Sequence, residues 1–365
     1  MKSVVTKKII GIDPGTKSFD ILGIEFTKDK EKIFLDKSIP SEQVAMNPEI
    51  LLSEIKPYLP VDAIIGPSGY GLPITKLDEA GEAELSQMLP IEGGQTGGVS
   101  VNEGIKRLFR KMKEMGLPVY FTPGVIHLPT VPEYRKLNHM DMGTADKLCC
   151  VVLAIKDQMQ RLKIKANQTS FVLLEMGYGF TSCIAVKDGQ VIDGLGGTLG
   201  FPGFLGTGHI DGELAIRMGK SPQGILFTGG ASSIAKKPIK NISELLKYKQ
   251  VFSLLTESAI KDIACMLVSH SKPKEIILSG RLCREQVIYY ELKKQIKKQF
   301  PKTIISRVKR TAKIAKEATE GAVILGAGIL GVKYTDIYNS LKVEKAKGTM
   351  YDYINIANIK NQISK

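Results

Sequence analysis

Two short stretches of the chain place a carboxylate beside glycines and hydroxyls. In residues 8–26, KIIGIDPGTKSFDILGIEF, an apolar run ends in Asp13, and Gly15, Thr16 and Ser18 follow before a second apolar run. In residues 171–186, FVLLEMGYGFTSCIAV, the run ends in Glu175, and Gly177, Gly179, Thr181 and Ser182 follow. Each reads as strand, tight turn, strand. A carboxylate at a strand end can hold a hydrated Mg²⁺, which keeps most of its waters and takes few protein carboxylates. The backbone N–H groups of a glycine-containing turn can face phosphate oxygens. An ordinary hairpin with an acidic turn is the alternative for either stretch alone. Two such hairpins, one in each half of the chain, imply a duplicated fold with nucleotide phosphates clamped between its halves.

Other elements must position these hairpins. Gly143-Thr144-Ala145-Asp146-Lys147 opens a run with Leu148, Cys149, Val152, Ile155, Met159 and Leu162 at helical spacing. Residues 275–281, EIILSGR, read as a strand ending in Ser279-Gly280-Arg281. Residues 320–328, EGAVILGAG, read as a second helix. Glycines weaken an isolated helix, so their clustering predicts another backbone packed very close. A strand near residues 33–35, a helix from Asn47-Pro48 to Tyr58 and a buried strand at 61–65 fill the first half. The loop 66–73 lies at a strand end, where α/β sheets collect ligands, and is a substrate-site candidate. Residues 92–104, EGGQTGGVSVNEG, suit either close approach to a ligand or a lid. His127 and His139 are lone histidines with no nucleophile to pair with.

This order of hairpin, helix, hairpin, glycine loop and helix resembles the superfamily of acetate kinase, sugar kinases, heat-shock 70 proteins and actin. The resemblance covers most of the chain, and the whole chain is similar to an archaeal family labelled predicted butyrate kinases. It implies an α/β protein with the two-domain actin-like ATPase (ribonuclease H-like) fold: duplicated mixed sheets around a central nucleotide cleft. The domains expected are 1–164 and 165–335, with 336–365 a polar, peripheral tail.

The resemblance also implies ATP and Mg²⁺ as cofactors. Asp13 and Glu175 would hold the metal, and Gly15, Thr16, Gly177 and Gly179 would surround the phosphates. Gly280 and Arg281 would flank adenosine. Arg281 stands where Gly is common; its guanidinium either stacks on adenine or reaches solvent. Residues 225–230, ILFTGG, read as another strand ending in Gly-Gly and compete for the adenosine role. Gly196, Gly197 and Thr198 follow the second hairpin as acyl-site or phosphate contacts, without the nearby arginine of butyrate kinases. In sugar kinases the catalytic base sits near the start of the first connecting helix. Asp146 holds that position, and Asp141 is the other candidate. Helix-start electrostatics gives Asp146 a structural alternative. A carboxylate acceptor needs no base, and Asp146 would then orient Lys147 or the metal. The catalytic candidates are therefore Asp13, Asp146 and Glu175.

The implied activity is an ATP-dependent phosphotransferase. An acyl kinase acting on a short-chain carboxylate is preferred, with a sugar or other hydroxyl-directed kinase as the alternative. A non-kinase ATPase that regulates a partner by domain closure is the third reading. A radical-enzyme activator is disfavoured, because the cysteines lack cluster spacing. The resemblance admits a homodimer.

Composition bounds these readings. The 365 residues suffice for two domains, and 43% hydrophobic content supports real cores. No apolar run approaches the ~20 residues needed to cross a membrane. Five cysteines occur without Cys-x-x-Cys, which fits a reduced cytoplasm. The net charge of +14 raises nucleic-acid binding as a reading. It is disfavoured because the basic residues are spread over amphipathic helices. Lys106, Arg107, Arg110, Lys111 and Lys113 accompany Val101, Ile105, Leu108, Met112 and Met115.

Overall fold

A computed structural model describes residues 6–66, 68–89, 99–239 and 242–356. Each half of the chain builds one mixed sheet. The first contains β1 (Lys7–Pro14), β2 (Ser18–Phe26), β3 (Glu31–Pro40), β4 (Ala63–Ile65), β5 (Thr75–Lys76) and β6 (Val119–Phe121). Their order is β3-β2-β1-β4-β6-β5. The second contains β7 (Phe171–Met176), β8 (Thr181–Lys187), β9 (Gln190–Leu195), β10 (Glu275–Ser279) and β11 (Ile305–Arg307), in the order β11-β10-β7-β8-β9. Both sheets start from an antiparallel three-strand meander, and both add parallel strands to its first member. Asp188 (φ 53°) and Gly189 (φ 70°) both take positive φ in the turn between β8 and β9. Two positive-φ residues are what a two-residue hairpin turn requires.

Alternation along the strands buries both faces of each sheet. In β1, Ile9 faces one core while Ile10 and Ile12 face another. In β7, Phe171 and Leu173 face the first of these cores, and Val172, Leu174 and Met176 face a third. The shared core is filled by two helices, Ala145–Leu162 and Glu317–Ile329, which lie between the sheets. Their crossing is very close: a Cβ at Gly321 would lie 1.8 Å from the Cys149 carbonyl oxygen. A Cβ at Gly11 of β1 would lie 2.7 Å from the Thr319 carbonyl oxygen. Glycine at these two positions is what lets the second helix lie on both the first helix and the first sheet.

The outer faces carry amphipathic helices. Val99–Glu114 buries Ile105, Leu108, Phe109 and Met112 on the first sheet. Lys249–Ser269 and Gln286–Gln299 cover the second. Their lysines face outward, as the sequence pattern predicts. No described helix is long and apolar enough to cross a membrane.

Two expectations need correction. Residues 225–230 are not a strand: Gln223–Phe227 is a 3₁₀ helix. The segment bonds Thr207 once through the Leu226 carbonyl and joins neither sheet. Short β5 and the helix Glu82–Met88 were not anticipated. The stretch from Asp336 is not peripheral. Ile337, Leu341, Val343 and Met350 are buried in the shared core, and the Tyr353 hydroxyl accepts from Lys136 Nζ. Its charged residues mask an apolar spacing that docks on the first connecting helix and its neighbours. The glycine-rich expectation at 92–98 lies outside the described residues.

Candidate active site

The two hairpin turns are closed alike. Gly15 N donates to the Ser18 carbonyl at 2.9 Å, and Gly177 N donates to the Phe180 carbonyl at 2.9 Å. The turns meet across the cleft. A Cβ at Gly179 would lie 2.7 Å from Thr16 Oγ1, and Lys17 Nζ sits 3.8 Å from the centre of the Tyr178 ring. Asp13 and Glu175, at the ends of β1 and β7, are therefore brought into one cavity of about 790 Å³. That lies within the ~300–1,000 Å³ range of small-molecule sites. Asp146, Gly15, Thr16, Gly177, Gly179 and Arg281 line it as well. Gly280 is not a lining residue. It backs the second hairpin at φ +92°, where a Cβ would lie 2.5 Å from Glu175 Oε1.

Each hairpin carboxylate meets a lysine from the other half of the chain. Lys316 Nζ lies 2.7 Å from Asp13 Oδ2. Lys147 Nζ lies 2.6 Å from Glu175 Oε2 and 3.0 Å from Asp146 Oδ2. Lys316 caps the start of the second connecting helix, and Lys147 lies in the first turn of the first. Gly15 makes room for Lys316, since a Cβ there would be 2.3 Å from Nζ. The Lys316 backbone N donates to Asp20 Oδ2 at 2.9 Å, which fixes the helix start against β2.

Burial pushes the Asp13 and Glu175 carboxyls above their usual range, with Lys316 and Lys147 pulling the other way. Burial acts on Asp146 in the same sense, but Lys147, Thr144 and Lys316 outweigh it and hold its carboxyl below the usual range. Burial works against the charge of Lys147 and Lys316; their carboxylate neighbours outweigh it, so both ammonium groups are held above the ordinary lysine value.

Asp146 is fully engaged. Thr144 Oγ1 donates to its Oδ1, and Lys147 Nζ faces its Oδ2. Asp141, the other base candidate, is buried and occupied too. Its Oδ2 accepts from Thr198 N at 3.0 Å and Thr198 Oγ1 at 3.1 Å, and its Oδ1 accepts from Gly143 N at 3.1 Å. Asp141 thus ties the start of the first connecting helix to the Gly196–Thr198 loop of the second half. Arg281 lines the cavity, and its Nη2 donates to Ser18 Oγ at 3.0 Å, another bond across the cleft. His127 is structural. It is buried, and its Nδ1 accepts from Gly124 N at 3.2 Å.

The geometry fits a hydrated magnesium ion. Asp13 Oδ1 is buried without a hydrogen-bond partner, so one oxygen remains for a metal-bound water or the metal. Among the described residues no three His, Cys, Asp or Glu side chains form a metal-holding cluster. A divalent ion here would draw most ligands from water and phosphate, as Mg²⁺ does. The cavity also has apolar lining, with Ala45, Met46, Met88, Leu89 and Ile105 on the first-half side and Leu226 and Phe227 on the other, beside Ser41, Glu42, Ser68 and Gln223.

Sequence reasoning missed Lys316 and the part Lys147 plays. The available signal was a lysine at each helix start, where a cation is electrostatically out of place.

The family model described as "Protein of unknown function (DUF1464)" matches residues 11–356. UPF0285 protein MK0078 of Methanopyrus kandleri is 27% identical over 237 residues, covering 63% of this chain and 67% of that protein. Among solved structures, acetate kinase from Entamoeba histolytica superposes with a TM-score of 0.57 at 13% identity, covering 80% of this chain and 87% of that one. Porphyromonas gingivalis acetate kinase gives 0.55 at 12% identity, covering 87% and 98%. The fold is therefore the duplicated, actin-like α/β fold of the acetate kinases.

Proposed function

The chain belongs to the DUF1464 family, and we propose that it is an ATP-dependent kinase whose acceptor is a small carboxylic acid. The observation that carries the acceptor class is the state of Asp146. Both of its oxygens are occupied, by Thr144 and Lys147, and its carboxyl is held below the usual range. Such a group is a poor proton acceptor and a good anchor for a lysine. A carboxylate acceptor needs no base, because it is already ionised. One of its oxygens attacks the γ-phosphorus, the bond to the bridging oxygen breaks, and ADP leaves with no proton removed. The apolar stretch of the cavity suits a short hydrocarbon chain such as that of butyrate better than a ring of hydroxyls, which would need partners when buried.

In this reading Asp13 and Glu175 hold the hydrated metal, which would draw charge from the phosphates. The hairpin turns carrying Gly15, Thr16, Gly177 and Gly179 surround the phosphates, with the Gly15 and Gly177 N–H groups spent on closing the turns. Phosphoryl transfer needs mostly such positioning and charge neutralisation. Arg281 closes the cleft at Ser18.

The test is a product screen with ATP·Mg²⁺ against short-chain acids, sugars and no acceptor, run on the wild type and on Asp146→Asn. Acyl phosphate formation is expected, trapped as the hydroxamate. The variant should lose less than the ~10²–10⁴-fold that a positioned base contributes. Sugar phosphorylation that falls over a thousandfold in the variant, with ATP affinity kept, would establish the hydroxyl-kinase reading instead. ATP hydrolysis with no acceptor dependence would leave only an ATPase.

A further inference from the structure

Resting on that reading, we propose that Lys147 and Lys316 are the site's phosphate ligands, held on hairpin carboxylates until a polyphosphate takes them over. Three observations converge. The first is position. Each lysine stands at the N-terminal end of a connecting helix, Lys147 in the first turn and Lys316 at the cap. The N-terminal end carries the positive pole, which favours anions and disfavours cations. Two ammonium groups and two positive helix ends thus point into one cavity, which is the electrostatics of an anion receptor.

The second is what holds the lysines. Lys316 has one carboxylate in reach, Asp13, and also donates to the Ser18 carbonyl at 3.3 Å. Lys147 spans Glu175 and Asp146. Asp13 and Glu175 are the groups the fold presents to a metal. When a divalent cation neutralises them, both lysines lose much of what holds them. A buried ammonium stripped of its counter-ion is strongly unfavourable, so Lys316 needs another anion, and Lys147, left with Asp146 alone, gains from one. Phosphate oxygens arriving with the metal are the anions available. Metal and lysines then exchange partners without leaving any charge unpaired.

The third is geometry. Lys316 Nζ is packed against the first phosphate turn, where a Cβ on Gly15 would be 2.3 Å away. A rotation about its side-chain bonds therefore moves the ammonium along the turn while it stays inside the cavity. The lysine side chains are only 15% and 17% exposed, so neither can swing out to bulk water instead. Asp146 keeps hold of Lys147 after Glu175 is given up, which makes Asp146 a positioning residue for that lysine.

The experiment is calorimetry of ATP and of inorganic pyrophosphate with magnesium, because the carboxylates hold the lysines until the metal takes those carboxylates over, with the same titrations in EDTA as the baseline. Lys147→Met and Lys316→Met should each weaken magnesium-dependent binding about ten- to a hundredfold, the worth of a charge-assisted hydrogen bond, and change binding in EDTA less. Lys147→Arg and Lys316→Arg should stay within a few-fold of wild type. Folded methionine variants that bind magnesium pyrophosphate and magnesium ATP within twofold of wild type would overturn the assignment. If the methionine variants do not fold, acetylation of the wild-type chain decides, read lysine by lysine by mass spectrometry. Magnesium pyrophosphate should change the labelling of Lys147 and Lys316 and leave the exposed Lys294 unchanged; equal labelling overturns the proposal. A wild type that binds no ATP even with magnesium defeats the kinase reading itself. Tight binding with magnesium and indifferent lysine variants defeats only the lysine assignment.

Discussion

The two halves of this chain repeat one plan and differ where they line the cleft. Counting back two residues from each hairpin carboxylate gives Gly11 in β1 and Leu173 in β7. Gly11 lets the second connecting helix lie directly on the first sheet, with the Thr319 carbonyl 2.7 Å from where a Cβ would be. Leu173 instead fills the space under the second sheet with side chain. The carboxylates differ as well. Asp13 forms a pair with Lys316, whereas Glu175 belongs to a triad with Lys147 and Asp146. The first hairpin thus belongs to a tightly fixed centre of short side chains. The second carries a longer carboxylate side chain and one carboxylate more.

The most severe way to break this comparison is to make the first half resemble the second. Gly11→Leu should drive a side chain into the backbone of the second connecting helix, at a cost on the order of 3 kcal/mol or more. Urea unfolding measures it, and a loss below ~1 kcal/mol would show that the helix is free to move away.

Exchanging the carboxylates sharpens the comparison. Asp13→Glu should cost about a hundredfold in kcat, the effect of a ~1 Å misplacement, because an added methylene shifts the carboxylate from its place against Lys316. Glu175→Asp should cost less, since Asp146 still anchors Lys147. Equal losses would mean that the two centres are interchangeable.

The smallest net effect concerns pH, where the halves respond in opposite senses. In the first half, burial lowers His127 to about 4. Its unfolded form takes up a proton as pH falls below ~6.5 and its folded form does not, so stability is lost on acidification. In the second half, burial raises Asp262 to about 7. The folded form is protonated where the unfolded one is ionised, so stability is gained as pH falls from 7 towards 3.8. From pH 7 to 5 each term is about 2 kcal/mol, and they offset in the global value. Corrected for the slower intrinsic exchange at lower pH, protection around His127 should fall from pH 7 to 5 while protection around Asp262 rises. Parallel changes in both would refute the assignment.

Much of this was legible in the sequence. The strands carry two-residue alternation, the turns carry Gly and Asp, and the crossing helices carry small residues, all signals local to the chain. The hairpin candidates Asp13 and Glu175 could be found because each ends its own apolar run. Their counter-ions could not. Lys316 lies some three hundred residues from Asp13, and no local pattern tells which carboxylate a lysine will meet. The Arg281 bond to Ser18 could not be read for the same reason, since Ser18 is in the other half. Residues 225–230 have the apolar run of a strand, but residues 223–227 close on themselves as a 3₁₀ helix and the segment joins neither sheet. The last described segment looked polar because its buried positions are spaced out among lysines and tyrosines.

The exchange of lysines between halves also bears on how the chain can be taken apart. A duplicated protein in which each copy kept its own counter-ion could be divided into two self-sufficient pieces. Here the first piece would carry Asp13 without its cation and Lys147 without Glu175. The second would carry the complementary deficits. Each piece is the missing reagent of the other, so gene fission could succeed only if both products were made together, and neither could be inherited alone.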